Sequence, residues 1–105
     1  MKNNTINIEG TAEERKMIPL YRGLLCYFPD ALVEVAKQSV KGHLQHSPGE
    51  DISNLRWIKE KSSDELDAMM RHTLEGDWAA MAWRALAHLQ RQLDEQTHNR
   101  TVNNE

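Results

Sequence analysis

The fold is decided by SSDELDAMMRHTLEGDWAAMAWRALAHLQRQL, residues 62–93. Ser62 and Glu65 have the spacing of a capping box, in which each side chain accepts a hydrogen bond from the backbone amide of the other residue. Gly76 predicts the end of the helix that follows. We expect one face of this helix to be buried, namely Leu66, Met69, Met70, Thr73 and Leu74.

A second helix follows almost at once. Asp77 is a suitable N-cap residue for it. Its apolar stripe is Trp78, Met81, Ala82, Ala85, Leu86, Leu89 and Leu93. Because only a residue or two separates the two helices, we predict an antiparallel helical hairpin.

Two further helices are predicted upstream. Thr11 and Glu14 have the spacing of another capping box, and Pro19 limits the length of that helix. Pro29 suits the first turn of the next helix, where its missing N–H is not needed, and Gly42 predicts the end of that helix. Its buried stripe is predicted at Leu32, Val35, Ala36 and Val40.

The remaining segments contain loop and tail signals. From His43 to about Lys61 no period is sustained, and Ser47-Pro48-Gly49 indicates a turn. Since no segment alternates with the period of two that is typical of strands, we predict an all-α domain of about four helices. We place this single domain at residues 11–96, between flexible polar tails at 1–10 and 97–105.

Length and charge limit the possible functions. The 105 residues are enough for one domain with a modest core, so self-association would bury more surface. The 13 Lys and Arg are interspersed with 16 Asp and Glu, whereas proteins that bind duplex nucleic acid normally carry a basic stripe. No apolar run reaches the roughly 20 residues that span a bilayer, and the N-terminus lacks the apolar centre of a secretory signal. We expect a cytoplasmic homo-oligomer that binds neither duplex nucleic acid nor a membrane.

The single cysteine, Cys26, lies between Leu25 and Tyr27 in an apolar segment. It has no partner for a disulfide within the chain. We expect a buried structural thiol, which packs as a small apolar side chain.

Asp64 and Asp67 are candidates for metal chemistry. They lie one helical turn apart, so both carboxylates can reach one divalent ion, and oxygen ligands suit Mg²⁺ or Mn²⁺ beside phosphates. The alternative is structural: both acids interact favourably with the helix dipole, and Asp67 pairs with Arg71 four residues later.

Three histidines raise the question of a zinc site. The spacing of His43 and His46, with His72 as a third ligand, is compatible with zinc, but neither an HExxH nor a CxxC motif accompanies them. We favour the hypothesis that His46 and His72 donate hydrogen bonds to phosphate or orient a carboxylate. Ordinary histidines with satisfied hydrogen bonds are the structural alternative.

Basic and aromatic side chains complete the candidate site. Guanidinium and ammonium groups make charge-assisted contacts to polyphosphate, and the candidates are Lys59, Lys61, Arg71 and Arg84. The side chains able to stack on a base are Tyr27, Trp57 and Trp83. Solvated charges and core aromatics are the structural alternatives.

Six short motifs occur in one order along the chain. They are YFPDAL at 27–32, G-x-x-Q-H-x-P-G at 42–49, Trp57, KSSDELD at 61–67, RH at 71–72 and AWRAL at 82–86. Together they resemble the phage and prophage family called dATP/dGTP diphosphohydrolase (N-terminal domain type), which is similar to the all-α nucleoside triphosphate pyrophosphatases. The resemblance runs from about Pro19 to Leu93.

The resemblance implies metal-dependent hydrolysis of a purine deoxynucleoside triphosphate to the monophosphate and pyrophosphate in a bacterial host cytoplasm. Mg²⁺ or Mn²⁺ would be the cofactor, with the metal ligands Glu34, Asp64 and Asp67. The catalytic residues would be Asp64, Asp67 and His72. The nucleotide-binding residues would be Gln45, His46, Trp57, Lys61, Arg71 and Arg84.

The chain departs from the family pattern at three places. Lys37 stands where the related pyrophosphatases have the second carboxylate of an E-x-x-E motif, Glu65 stands where relatives have His, and residues 75–77 replace a longer acidic segment. A second hypothesis therefore stays open: a non-catalytic phage protein that sequesters a nucleotide immune signal, an anti-defence function. Such a protein needs stacking and phosphate contacts but no preorganised metal site. A helical adaptor that binds another protein is the third hypothesis.

Overall fold

The computed structural model describes residues 8–58 and 64–103, with side chains up to residue 97. Within these residues the chain is all-α, as predicted, and has four α-helices and no strand. The helices are α1 at Ala12–Lys16, α2 at Pro29–His46, α3 at Glu65–Glu75 and α4 at Trp78–Asn103. A π-helical turn at Tyr21–Leu25 precedes α2, and a 3-10 turn at Ile52–Asn54 follows it.

The capping box at the start of α1 is present. The backbone amide of Glu14 donates to Thr11 Oγ1 over 3.1 Å, and that of Thr11 donates to Glu14 Oε1 over 3.0 Å. Hydrogen bonds from the backbone of Thr11, and then from its side chain, hold the pKa of the Glu14 carboxyl below its ordinary value. The start of α1 is therefore stabilised by two residues three positions apart in the sequence.

The junction between α3 and α4 also follows the sequence prediction. Gly76 ends α3 with a φ of +75°, in the left-handed region that glycine adopts most readily. Asp77 accepts a hydrogen bond from the backbone amide of Ala80 over 3.3 Å at the start of α4. The two helices pack against each other as an antiparallel hairpin. The capping box predicted at Ser62 lies outside the described residues.

The predicted end of α2 at Gly42 is wrong, because the helix continues for one more turn to His46. A Cβ at Gly42 would meet nothing within 4 Å, so the position does not require glycine. Glycine weakens a helix interior by only about 1 kcal/mol, which the flanking turns outweigh. His43, Gln45 and His46 consequently lie on a helix and not in a loop.

The last helix, α4, runs through Asn103 and so continues past residue 96, where the sequence analysis places the end of the domain. It packs on both α3 and α2, which makes it the central element of the bundle. None of the helices in the described part of the chain is long and apolar enough to cross a membrane.

The buried core differs from the predicted one. Its apolar members are the three alanines Ala68, Ala80 and Ala87. Small side chains allow close approach of helices, and the face of α3 that is buried includes Ala68 together with Glu65. The prediction that Leu66, Met70 and Leu74 are buried is wrong, and Leu74 is 86 % exposed.

Other predicted core positions are also exposed. On α4 the exposed members of the predicted stripe include Trp78, Leu86, Leu89 and Leu93. Cys26 is exposed as well, so the prediction of a buried thiol is wrong. Helical periodicity identified apolar faces correctly, but burial depends on which face a neighbouring helix covers, and several of these faces have no neighbour within the described chain.

Candidate functional site

A polar cavity of about 420 Å³ lies between the C-terminal half of α2, residues 55–58 and the α3–α4 junction. This volume falls within the range of roughly 300–1,000 Å³ that is typical of small-molecule sites. Its lining includes the polar or charged side chains of Gln38, Lys41, His43, Gln45, Arg56, His72, Asp77 and Arg84 and the indoles of Trp57 and Trp83.

The two indoles form one wall of the polar cavity. Trp57 and Trp83 contact each other edge to face, with ring centroids 5.6 Å apart and an interplanar angle of 75°. Trp83 Nε1 donates a hydrogen bond of 2.7 Å to Ser39 Oγ, which joins α4 to α2. Because the rings are not parallel, they cannot sandwich a base between them, and a bound base would stack on one indole only.

An ion pair between α3 and α4 holds the Arg91 guanidinium against Trp57, one of the two indoles. Arg91 Nε donates to Glu65 Oε1 over 3.0 Å, and the side chain of Glu65 is only 3 % exposed. The Arg91 guanidinium lies 5.5 Å from the centroid of the Trp57 ring, in cation–π geometry. Glu65 therefore fixes the cation that lies over Trp57.

Two histidines in the cavity lining have nitrogen atoms without a hydrogen-bond partner among the described residues, His43 Nε2 and His72 Nδ1. His43 Nε2 lies 3.9 Å from Glu50 Oε2, and His72 Nδ1 lies 3.9 Å from Asp77 Oδ2, both too far for a hydrogen bond. An unpaired buried polar atom costs about 1–3 kcal/mol. Each imidazole therefore gains if a ligand oxygen, or a small shift of its facing carboxylate, supplies the missing bond.

The fixed charges in the lining are mostly positive. The described lining contains the cations Lys41, Arg56 and Arg84 and one carboxylate, that of Asp77. The Arg84 guanidinium also lies 5.4 Å from the centroid of the Trp83 ring. A concave surface with this excess of cations attracts anionic groups.

The structure brings together six of the candidates named in the sequence analysis. His43, Gln45, Trp57, His72, Trp83 and Arg84 all contribute to the cavity lining. Five others do not belong to its described lining: Glu34, His46, Asp64, Asp67 and Arg71. Lys59 and Lys61 lie outside the described residues. Tyr27 is exposed and contacts Phe28 edge to face.

The acidic residues proposed as metal ligands are placed in ion pairs. Glu34 Oε1 accepts from Lys37 Nζ over 3.0 Å, and Asp64 Oδ2 accepts from Arg71 Nη2 over 3.3 Å. Among the residues that the structure describes, no three His, Cys, Asp or Glu side chains are grouped as they would be around a metal ion. These described side chains are not arranged as ligands of a divalent ion. The assignment of Mg²⁺ or Mn²⁺ to Glu34, Asp64 and Asp67 stays a prediction.

Several lining residues are absent from the sequence prediction. Gln38 and Lys41 are two of them, and together with the predicted Gln45 they recur at i, i+3 and i+7, which is the spacing of one helical face. The three residues share one helical face because α2 continues past Gly42 to His46. His43, considered in the sequence only as a zinc ligand, is the most buried of the polar lining residues.

Comparisons with protein-family models, with curated proteins and with solved structures found no match to this chain. The resemblance to the dATP/dGTP diphosphohydrolase family therefore stays a prediction.

Proposed function

We propose that this chain binds a purine nucleotide, or a signal molecule derived from one, in the polar cavity. The observation that carries the proposal is the composition of the lining: three cations and two imidazoles against one carboxylate, beside two indoles. A nucleotide combines the two complementary features, an anionic phosphate chain and a flat aromatic base.

Each part of the cavity has a role in this proposal. Lys41, Arg56 and Arg84 contact phosphate, and Arg84 is able to make two parallel hydrogen bonds to phosphate oxygens. One indole stacks on the base. The carboxamides of Gln38 and Gln45 offer both donors and acceptors to its edge.

Sequestration of the nucleotide without turnover is the form of this function that we favour. Lys37 forms an ion pair with Glu34, and Arg71 forms one with Asp64. Two of the three acidic residues that the resemblance implies as metal ligands are therefore paired with cations. A protein that only retains its ligand needs no reactive water and no metal beside the phosphates. In a phage setting, retention of a nucleotide immune signal would be an anti-defence function.

Hydrolysis of dATP or dGTP is the second candidate, and one contact favours it. His72 and Asp77 lie in the cavity as an imidazole and a carboxylate 3.9 Å apart. A small shift of Asp77 would let its carboxylate accept a hydrogen bond from His72, and a histidine oriented in this way is a common general base. The resemblance adds Asp64 and Asp67 as predicted catalytic residues.

One assay tests both candidates. Full-length protein is incubated with dATP, dGTP or an ADP-ribose-type compound, with Mg²⁺ or Mn²⁺ present, and both retained ligand and released pyrophosphate are measured. We expect stoichiometric retention that falls about tenfold in Arg84→Gln, which loses charge-assisted contacts. Arg22→Gln, an exposed change on the π-helical turn, is the matched control and should retain ligand normally.

The outcomes separate the hypotheses. Turnover that disappears in Asp64→Asn and Asp67→Asn supports the diphosphohydrolase, whereas turnover that survives both changes but not His72→Gln places the chemistry in the cavity. If no nucleotide is retained and none is hydrolysed, the nucleotide proposal is wrong and the adaptor hypothesis gains.

A further inference from the structure

Gly42 lies in the interior of α2, which runs from Pro29 to His46, although the fold does not need a glycine there. Its φ is not in the left-handed region, and a Cβ at this position would meet no atom of the described residues within 4 Å. Glycine weakens a helix interior relative to alanine, because it loses more conformational freedom on folding. The helix therefore carries a less favourable residue at this position without any gain in its own packing.

The position of Gly42 in the polar cavity offers a reason. Gly42 lines the cavity together with five other residues of α2. At about 100° of rotation per residue, Gly42 falls in the middle of the arc that α2 presents to the cavity. Lys41 and Gln45 lie on one side of it, and Ser39 and His43 lie on the other. The centre of this wall therefore has no side chain, and the backbone of α2 itself faces the cavity.

A bare stretch of helix backbone favours one kind of ligand group. Inside α2 the N–H and C=O groups are hydrogen-bonded to each other, so the surface at Gly42 offers van der Waals contact and no free donors. A flat ring gains from such contact over its whole face, whereas a phosphate needs donors or cations. Glycine also allows the backbone to approach a ligand closely. The centre of the wall therefore suits a base better than a phosphate.

The side chains around Gly42 fit a base at this position. Trp83 Nε1 donates a hydrogen bond of 2.7 Å to Ser39 Oγ, which holds the indole against α2 one turn before Gly42. Gln38 precedes Gly42 by one turn and Gln45 follows it by one turn, and both line the cavity. A ring over Gly42 therefore has an indole beside it and two carboxamides near its edge.

We propose that Gly42 is the residue that admits the base, which lies against the bare backbone of α2 at this position. A side chain at position 42 would occupy the same space as the ring. The inference rests on the proposed nucleotide function and adds to it the place of the base within the cavity. The phosphates lie at the cations of the lining, so their binding does not depend on the missing Cβ.

Equilibrium dialysis of the full-length chain with dATP, and separately with inorganic triphosphate, tests this placement, because inorganic triphosphate has the phosphates but no base. In Gly42→Ala we expect the dissociation constant for dATP to rise at least about tenfold, since the added methyl group overlaps the ring. The dissociation constant for inorganic triphosphate should change by less than about twofold. Arg84→Gln should weaken the retention of both ligands, because it removes a phosphate contact.

A larger side chain and a matched control extend the test. Gly42→Leu should abolish dATP retention. Ala31→Leu adds a leucine at an exposed position of α2 outside the described lining and should retain dATP normally. Circular dichroism checks that each variant is folded, and Gly42→Ala should be at least as helical as the unaltered chain.

Two results would overturn the placement of the base. One is dATP retention in Gly42→Ala that equals retention by the unaltered chain. The other is an equal loss of dATP and inorganic triphosphate in Gly42→Ala, because Gly42 would then lie at the phosphates. If the unaltered chain itself retains no dATP, the proposed nucleotide function fails and the inference fails with it. The unaltered chain therefore distinguishes a failure of the function from a failure of the placement.

Discussion

Glu65 on α3 accepts a hydrogen bond from Arg91 on α4, with 3.0 Å between Glu65 Oε1 and Arg91 Nε. Glu65 is almost fully buried, and Arg91 in turn covers the ring of Trp57. The pair links the packing of the helical hairpin to the wall of the polar cavity. Neither Glu65 nor Arg91 belongs to the described cavity lining, and the pair reaches it through Trp57.

Glu65→Ala should destabilise the fold. It leaves Arg91 partly buried without its carboxylate, and breaking a buried pair costs about 3–5 kcal/mol. Because the Arg91 side chain is 29 % exposed, water replaces part of the lost interaction. We therefore expect the free energy of unfolding to decrease by about 2–3 kcal/mol. Urea denaturation measures this change. Glu75→Ala, at the exposed end of the same helix, should change the free energy of unfolding by less than about 0.5 kcal/mol.

The double variant Glu65→Leu with Arg91→Met separates the ion pair from packing. Replacing both charges with apolar side chains of similar size removes the desolvation penalty together with the attraction. We expect the double variant to be more stable than either single variant. A coupling free energy near zero between the two substitutions would contradict a stabilising interaction between Glu65 and Arg91. A loss of nucleotide retention with restored stability would show that Arg91 positions Trp57.

His43→Gln and His72→Gln should each weaken nucleotide retention about tenfold. Both imidazoles line the cavity and have a nitrogen that a phosphate oxygen can bond, and a charge-assisted bond contributes about 1.5–3 kcal/mol. His88→Gln on α4, outside the described lining, is the matched control and should bind normally. Equilibrium dialysis with dATP measures all three.

His46→Gln tests the sequence prediction against the structure. His46 is exposed and lies outside the described cavity lining, so retention should stay within about twofold of the unaltered chain, a difference under about 0.5 kcal/mol. A loss as large as that of His43→Gln would favour the assignment made from the sequence.

Gly76→Ala and Gly42→Ala should change stability in opposite directions. Gly76 has a φ of +75°, and an L-residue in the left-handed region costs about 1–2 kcal/mol. Gly42 lies within α2, a Cβ there would meet nothing within 4 Å, and alanine is the better helix former by about 1 kcal/mol. Thermal unfolding of both variants checks the prediction, and a stabilised Gly76→Ala would contradict the left-handed helix end.

The start of α1 should weaken in acid. The pKa of the Glu14 carboxyl is lowered in the folded chain, so its contribution is fully present above the unfolded pKa and is lost as the pH falls through the folded pKa. An NMR titration should show a Glu14 midpoint below the ordinary value. In Thr11→Ala the backbone hydrogen bond, which is the larger cause, is kept and the side-chain one is lost, so the midpoint should move only part of the way upward. An unchanged midpoint would rule out a contribution from the Thr11 side chain.

Features that depend on neighbours along the chain were predictable from the sequence. The Thr11 and Glu14 capping box, the end of α3 at Gly76 and the Asp77 cap of α4 all involve partners within four residues. Backbone geometry brings such partners together wherever a helix forms, so spacing alone identifies them. The helical class and the hairpin follow from the same local rules.

The orientation of each helix required the tertiary structure. Periodicity marks an apolar face but does not say which neighbour covers it, and the side chains that are in fact buried include Ala68, Ala80 and Ala87 with Glu65. The contacts that build the cavity wall join residues far apart in sequence. Ser39 contacts Trp83, Glu65 contacts Arg91, and Trp57 contacts both Trp83 and Arg91. The sequence by itself determined an all-α chain with its caps and turns, because those depend on local hydrogen bonding. Only tertiary packing decided which histidines, cations and indoles share one cavity, because small side chains and one buried ion pair, and not the largest apolar stripe, set how the helices meet.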